Sequence, residues 1–147
     1  MFRGLFEHAL DPKGRVSIPA HFRDVLVNLE ERCLIITANP DRYLVAYPTA
    51  QWNQLEQKVR SQSQFDPHVE AFKRLYVASA MECPLDKQGR ILLPPLLRER
   101  GGIGRDIVFA GMGETIEIWD KALWYQVVDK DRPNWLAIKQ TMANLGV

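Results

Sequence analysis

The stretch Asp11-Pro12-Lys13-Gly14-Arg15-Val16-Ser17-Ile18-Pro19 decides the reading of this chain, because it returns as Asp86-Lys87-Gln88-Gly89-Arg90-Ile91-Leu92-Leu93-Pro94. Asp86 lies 75 positions after Asp11, and at the same offset Glu7/Glu82, Leu10/Leu85, Gly14/Gly89, Arg15/Arg90, Pro19/Pro94 and Arg23/Arg98 are also identical. Seven identities in seventeen aligned positions mark an internal duplication.

The motif specifies a turn that becomes a strand. An Asp carboxylate can accept a hydrogen bond from the backbone N–H two residues on, Pro12 presets φ, and Gly14 or Gly89 takes φ > 0 without steric cost. Beyond the turn, Val16 and Ile18 face one side of a strand and Arg15 and Ser17 the other. Pro19 has no N–H, so it ends the ladder and can open a helix. Each Arg therefore stands on a rigid base, with a long cationic head free to project.

Working outward, the 147 residues read as two similar units at about 5–52 and 81–124, joined by a helical connection, 53–80, and followed by a helical segment, 125–147. Each unit is near fifty residues, a size at which a lone core is marginal, so the two are expected to share one core or to gain stability from further subunits. Residues 3–10 and 15–18 predict strands around the turn, and Phe22, Val25 and Leu26 give the next helix an apolar side. Residues 33–37 and 43–47 predict a hairpin across Asn39-Pro40-Asp41. Residues 107–110 and 115–119 repeat it around Gly111-Met112-Gly113, after a helix opened by Pro94-Pro95 and stopped by Gly101-Gly102. Thr49 is expected to cap a helix bearing Trp52, Leu55 and Val59, and Asp66-Pro67 to open another bearing Val69, Phe72 and Tyr76. Trp135, Ile138, Met142 and Leu145 recur at helical steps, a stripe expected to pack on the sheets or on a neighbouring subunit.

Composition narrows the class without naming a partner. An apolar fraction of 46% with 25% charged residues describes a soluble globular chain, and 19 basic against 18 acidic residues leave a net charge of +1. A nucleic-acid function must therefore rest on where charges sit, not on their sum. Cys33 and Cys83 form no C-x-x-C pair and His8, His21 and His68 have no metal-ligand spacing, so no metal or cofactor is expected and both cysteines read as buried thiols of a reducing cytosol. No apolar run of about 18 residues exists to span a membrane, and no export signal follows Met1. A cytoplasmic protein is expected.

With Met1-Phe2-x-Gly4 at its start, then Asp11-x-Lys13-Gly14-Arg15 with Pro19 and Arg23, and Asp86-x-x-Gly89-Arg90 with Pro94, Leu97 and Arg98, the whole chain resembles the MraZ family of bacterial regulators. The resemblance implies an α+β fold in which two pseudo-repeated SpoVT/AbrB-like swapped-hairpin β units form one barrel with flanking helices. It implies a closed homo-oligomeric ring, nucleoid association, and binding of double-stranded DNA upstream of the chain's own division and cell-wall gene cluster, with repression as the outcome and no small-molecule substrate. The family's DNA-reading segment falls on Lys13, Gly14 and Arg15. In the second copy Gly89 and Arg90 match, while Gln88 replaces Lys13.

The residue chemistry agrees. An Arg on a rigid turn can present its fork to O6 and N7 of guanine, while Lys13 and the Gly14 N–H approach phosphate. Arg3 is assigned to the same basic edge from its nearness in sequence to the first strand. Ring neighbours are related by rotation, so short direct repeats are the expected target.

Three other readings compete. Arg15 and Arg90 could pair with Glu7 and Glu82 and merely stiffen the fold. Asp11 and Asp86 could act as a general acid and base, but no nucleophile, P-loop or metal motif accompanies them, so the chain is read as no enzyme. A ring-forming interaction protein could instead bind a protein or RNA through Lys73-Arg74 and the C-terminal helix.

Overall fold

Alternation of apolar and polar residues puts the repeated strands half in and half out of the core, and the computed structural model, which describes residues 1–147, shows where each half goes. The strands are β1 (Leu5–Ala9), β2 (Arg15–Ser17), β3 (Cys33–Asn39), β4 (Tyr43–Pro48), β5 (Met81–Pro84), β6 (Arg90–Leu92), β7 (Asp106–Gly111) and β8 (Ile116–Asp120). The helices are α1 (Ala20–Asn28), α2 (Thr49–Arg60), α3 (Pro67–Phe72), α4 (Pro95–Arg100), α5 (Lys121–Asp131) and α6 (Trp135–Asn144), with a π-helical turn at Lys73–Val77 and a 3₁₀ turn at Arg132–Asn134.

Six strands form an antiparallel sheet in the order β1-β7-β8-β4-β3-β5, and β2 pairs with β6 in a separate two-stranded ribbon. The order reads the same in reverse when each strand is exchanged for its counterpart in the other copy. The first strand of each copy is also traded: β1 lies on β7, Glu7 opposite Val108, and β5 lies on β3, Leu34 opposite Cys83. The structure is α+β, as expected, but the sheet is not a closed barrel. Its edges are β1 and β5, and the ribbon lies beside both without joining their ladders. The reason is local: β2 and β6 are each three residues long, ended by Pro19 or Pro94, and spend their hydrogen bonds on each other.

One core serves both copies. Val16/Ile91, Ile18/Leu93, Phe22/Leu97, Leu34/Ile107, Ile36/Phe109 and Leu44/Ile116 are buried as matching pairs in it. Burying each such side chain contributes about 1.5–3 kcal/mol, and neither copy could keep that burial alone.

The flanking helices break the symmetry. Trp52 of α2 and Tyr76 of the π-helical turn seal Ile35, Val45 and Tyr47 on the outer face of β3 and β4, where the Tyr47 and Tyr76 hydroxyls share a hydrogen bond. After α5 nothing folds back: α6 and its C-cap leave Trp135, Leu136, Ile138, Met142 and Leu145 exposed. The expected stripe does not pack on this chain's own sheets. Two local expectations are also corrected. Thr49 is the first helical residue after a Pro48 cap and makes no side-chain cap bond, and the helix opened at Asp66-Pro67 changes to π geometry before Tyr76. Cys83 is buried as expected, whereas Cys33 is only half-buried.

Candidate nucleic-acid interface

Both arginines of the repeated motif stand on the β2–β6 ribbon. Pairing sets Arg15 opposite Leu92, Val16 opposite Ile91 and Ser17 opposite Arg90. Residues directly opposite share a face, as do residues two apart on a strand. Arg15, Ser17, Arg90 and Leu92 therefore form one face, and Val16 with Ile91 the other. Val16 and Ile91 are each 1% exposed and enter the core. On the outward face Ser17 and Leu92 are exposed and the two arginines half-buried. The ribbon extends into both turns, since the Ile18 N–H donates to Gly89 O at 3.0 Å and the Leu93 N–H to Gly14 O at 2.9 Å. Diagonal neighbours on such a pair lie about 7–8 Å apart. That is the relation of Arg15 to Arg90.

Each turn is built on its aspartate. Asp11 Oδ1 accepts from the Lys13 N–H at 2.9 Å and the Arg15 N–H at 2.8 Å, and Oδ2 accepts from Arg15 Nε at 2.6 Å. Asp86 repeats this with the N–H groups of Gln88 and Arg90 and with Arg90 Nε, all at 2.9 Å. The hydrogen bond from the backbone N–H of Arg15 or Arg90, then that from its side chain, holds each carboxyl below the usual carboxylate range. The aspartate thus does two jobs, closing the turn and fixing the guanidinium. The alternative pairing is absent: Glu7 instead accepts from the Tyr125 hydroxyl at 2.7 Å and meets Lys121 Nζ at 3.0 Å, tying α5 to β1. Asp11 and Asp86 belong to turns at opposite ends of the ribbon, each engaged by its own arginine.

The outer edges of the two guanidinium groups differ. Arg90 Nη2 donates to Gln88 Oε1 at 2.8 Å. Lys13 stands at that position in the first turn, so both terminal nitrogens of Arg15 are free of partners within the chain.

Sequence reasoning missed two further arginines at this surface. Gly14 and Gly89 have φ of +84° and +74°, the left-handed geometry expected of them, and each lies under an arginine of the other copy. A Cβ on Gly14 would come 3.1 Å from Arg98 Cζ, and one on Gly89 only 2.5 Å from Arg23 Cδ. Arg98 Nε donates to Leu93 O at 3.0 Å, whereas the buried Nε of Arg23 has no partner. The signal was present: Arg23 and Arg98 are identical at the repeat offset, on helices whose apolar faces do not need them.

The clefts beside the turns also differ. One of about 760 Å³ runs along Leu10–Pro12 with Arg98 and Arg105 on its wall. Its counterpart of about 560 Å³ at the second turn holds Arg23, Arg32 and Lys87 and, besides Asp86 in the place of Asp11, also Asp24 and Glu31. Lys13 is exposed at the tip of the basic end. Arg3 is not brought to it: it precedes β1 and packs beside Gly111, at the end of the strand away from the first turn.

Residues 1–75 and 77–145 each match the family described as "MraZ protein, putative antitoxin-like". The chain is 42% identical over 146 residues to a protein of Syntrophobacter fumaroxidans, covering 99% of this chain and 97% of that one. It is 40% identical over 147 residues to proteins of Desulfitobacterium hafniense and Acetivibrio thermocellus, covering all of both chains in each case. All three carry the name "Transcriptional regulator MraZ", the name of a regulator and not of an enzyme.

Proposed function

The chain belongs to the MraZ family, and from that premise we propose that it is a sequence-specific DNA-binding regulator that reads DNA with the outward face of the β2–β6 ribbon. The observation that carries this reading is the ribbon itself, two arginines on one face, each held at Nε by an aspartate and supported from below by buried Val16 and Ile91. A two-stranded ribbon fits the major groove of B-DNA, which is about 12 Å wide. With Nε anchored, the two terminal nitrogens of Arg15 form the fork that matches O6 and N7 of guanine. Lys13 meets phosphate, and Arg98 and Arg105 extend the cationic edge; the Gly14 N–H, expected to join them, is instead spent within the turn, donating to Asp11 O at 2.9 Å.

Assembly supplies the affinity that one chain lacks. A good bidentate base contact is worth only about 1–3 kcal/mol of discrimination, and the net charge is +1. The exposed apolar residues of α6 favour self-association, and a closed ring would place copies of the first turn at fixed spacing. Adjacent chains would then engage short direct repeats about one helical turn, roughly 10 bp, apart. On this reading the ring occupies the DNA upstream of its own division and cell-wall genes in the cytoplasmic nucleoid and represses them, and residues 5–52 and 81–124 act as the two repeated units.

The test is a binding titration on the chain's own upstream DNA at several salt concentrations. Three correctly spaced repeats should bind at least about tenfold tighter than one, and half a turn inserted between them should remove most of that gain. Equal affinity for one repeat and three sinks the ring mechanism. Binding indifferent to both sequence and salt sinks the DNA reading itself.

A further inference from the structure

The outward face of the ribbon is two-fold symmetric in the identity and Nε anchoring of its arginines and not in its other two residues. Ser17 and Leu92 are counterparts at the repeat offset, so one half of the face carries a hydroxyl and the other an isobutyl group. Leu92 is 53% exposed, although its strand neighbours Ile91 and Leu93 are 1% and 0% exposed. Nothing in the chain covers it. The pairs Gly14/Leu93 and Ile18/Gly89 are joined by ladder hydrogen bonds, so Arg15/Leu92 is a non-hydrogen-bonded pair. Such pairs bring Cα atoms to about 4.5 Å and set their side chains closer together than hydrogen-bonded pairs do.

This spacing has a consequence in the groove. Base pairs stack at about 3.4 Å per strand. A residue directly across the ribbon from Arg15 therefore meets the base pair next to the guanine that Arg15 contacts. The apolar feature of the major groove is the C5-methyl of thymine. Ser17, across from Arg90, can donate to or accept from any base and carries no such preference.

Resting on the ribbon-in-groove reading above, we propose that Leu92 is a specificity-determining residue that packs on the C5-methyl of a thymine adjacent to the guanine contacted by Arg15. The contact adds to each chain's polarity on DNA. The fold alone, with its pseudo-two-fold strand order, would fit either direction of a site equally well. Leu92 on one side and Ser17 on the other reinforce the direction that the open Arg15 fork and the Lys13/Gln88 difference already give a single chain's site, as direct repeats require.

The experiment replaces each thymine of the upstream DNA in turn by uracil, which removes only the methyl group, and measures binding of the wild-type chain and of Leu92→Ser. Wild type is expected to lose about fourfold at one thymine per repeat, the equivalent of one methylene-sized burial at about 0.8 kcal/mol. Leu92→Ser should bind the thymine and uracil forms equally at that position while keeping its dependence on the neighbouring guanine. The double exchange Ser17→Leu with Leu92→Ser should move the sensitive thymine to the other side of the arginine-contacted bases. Equal uracil penalties in wild type and Leu92→Ser, or none in either, overturn the assignment while leaving the DNA reading standing. So does a Leu92→Ser chain whose assembly size changes and whose methyl dependence does not, since Leu92 would then be a subunit contact. A wild-type chain with no affinity for the upstream DNA defeats the DNA reading and this assignment together.

Discussion

The first and second turns share one backbone and differ in what surrounds it. In both, an aspartate closes the turn and grips the following arginine at Nε, and a glycine at positive φ lies under an arginine from the other copy. At the first turn Lys13 adds a charge and leaves the Arg15 fork open. At the second, Gln88 takes a terminal nitrogen of Arg90 and the neighbouring cleft holds Asp24 and Glu31. Duplication thus kept the scaffold that positions a guanidinium and let the two guanidinium groups diverge. The first keeps its terminal nitrogens free, and the second gives one of them to Gln88.

Removing the arginines should widen this contrast most. Arg15→Ala is expected to lower affinity for the upstream DNA about a hundredfold, because one lost contact is multiplied across neighbouring chains. Arg90→Ala should cost less than about tenfold. Melting temperature and assembly size should hold in both, because the guanidinium groups lie outside the core; unfolding of Arg15→Ala would make that residue structural. Equal losses at the two sites would mean that Gln88 does not restrain Arg90 in the complex.

The glycines test the shared half of the comparison. Gly14→Val and Gly89→Val should each destabilise by more than about 1 kcal/mol, since both combine left-handed backbone with a bulky, β-branched side chain. The effect should be larger at Gly89, where the added Cβ meets Arg23 Cδ at 2.5 Å, than at Gly14, where Arg98 Cζ lies at 3.1 Å. Denaturant melts would show it. A Gly89→Val chain as stable as wild type would separate the two turns in kind.

Gln88→Lys should convert the second turn toward the first. It removes the acceptor for Arg90 Nη2 and adds a positive charge. DNA affinity should rise a few-fold, with a steeper salt dependence from the added phosphate contact. An unchanged salt slope would place the second turn away from the DNA.

The smallest effect lies behind the turns. Glu30 and Gly102 occupy matching places after α1 and α4 with φ of 57° and 64°, and only the glycine takes that geometry freely. Glu30→Gly is expected to stabilise by about 0.5 kcal/mol, the relief of left-handed strain less the greater freedom of the unfolded chain. DNA binding should not change. A loss of stability would mean that Glu30 makes a contact worth more than its strain.

Much of this was legible in the chain because it depends on local chemistry. The Asp-x-x-Gly-Arg spacing gave the turns and the sign of φ at Gly14 and Gly89, and period two gave Val16 and Ile18 to the core and Arg15 to the surface. Residues that meet only through topology were not legible. The pairing of β2 with β6 across the copies brings Arg98 over Gly14 and Arg23 over Gly89, and no spacing within one copy encodes that. Glu7 was a reasonable partner for Arg15 by proximity in sequence, yet its strand turns it toward Lys121 and Tyr125, while the aspartate already committed to the turn has a second oxygen to spare. Arg3 was placed by nearness along the chain. The extended run of β1 carries it to the other end of the sheet edge.

The central claim is that Arg15 reads guanine from the ribbon face, and a double-mutant cycle between protein and DNA tests it most directly. Wild type and Arg15→Ala would be titrated at low salt against the upstream DNA and against the same DNA with 7-deazaguanine at each guanine in turn. At one guanine per repeat, removing N7 should weaken wild-type binding and leave the residual binding of Arg15→Ala unchanged, so that both changes together cost little more than either alone. Costs that simply add at every guanine would contradict the account and send the search for the base-reading residue elsewhere on the molecule.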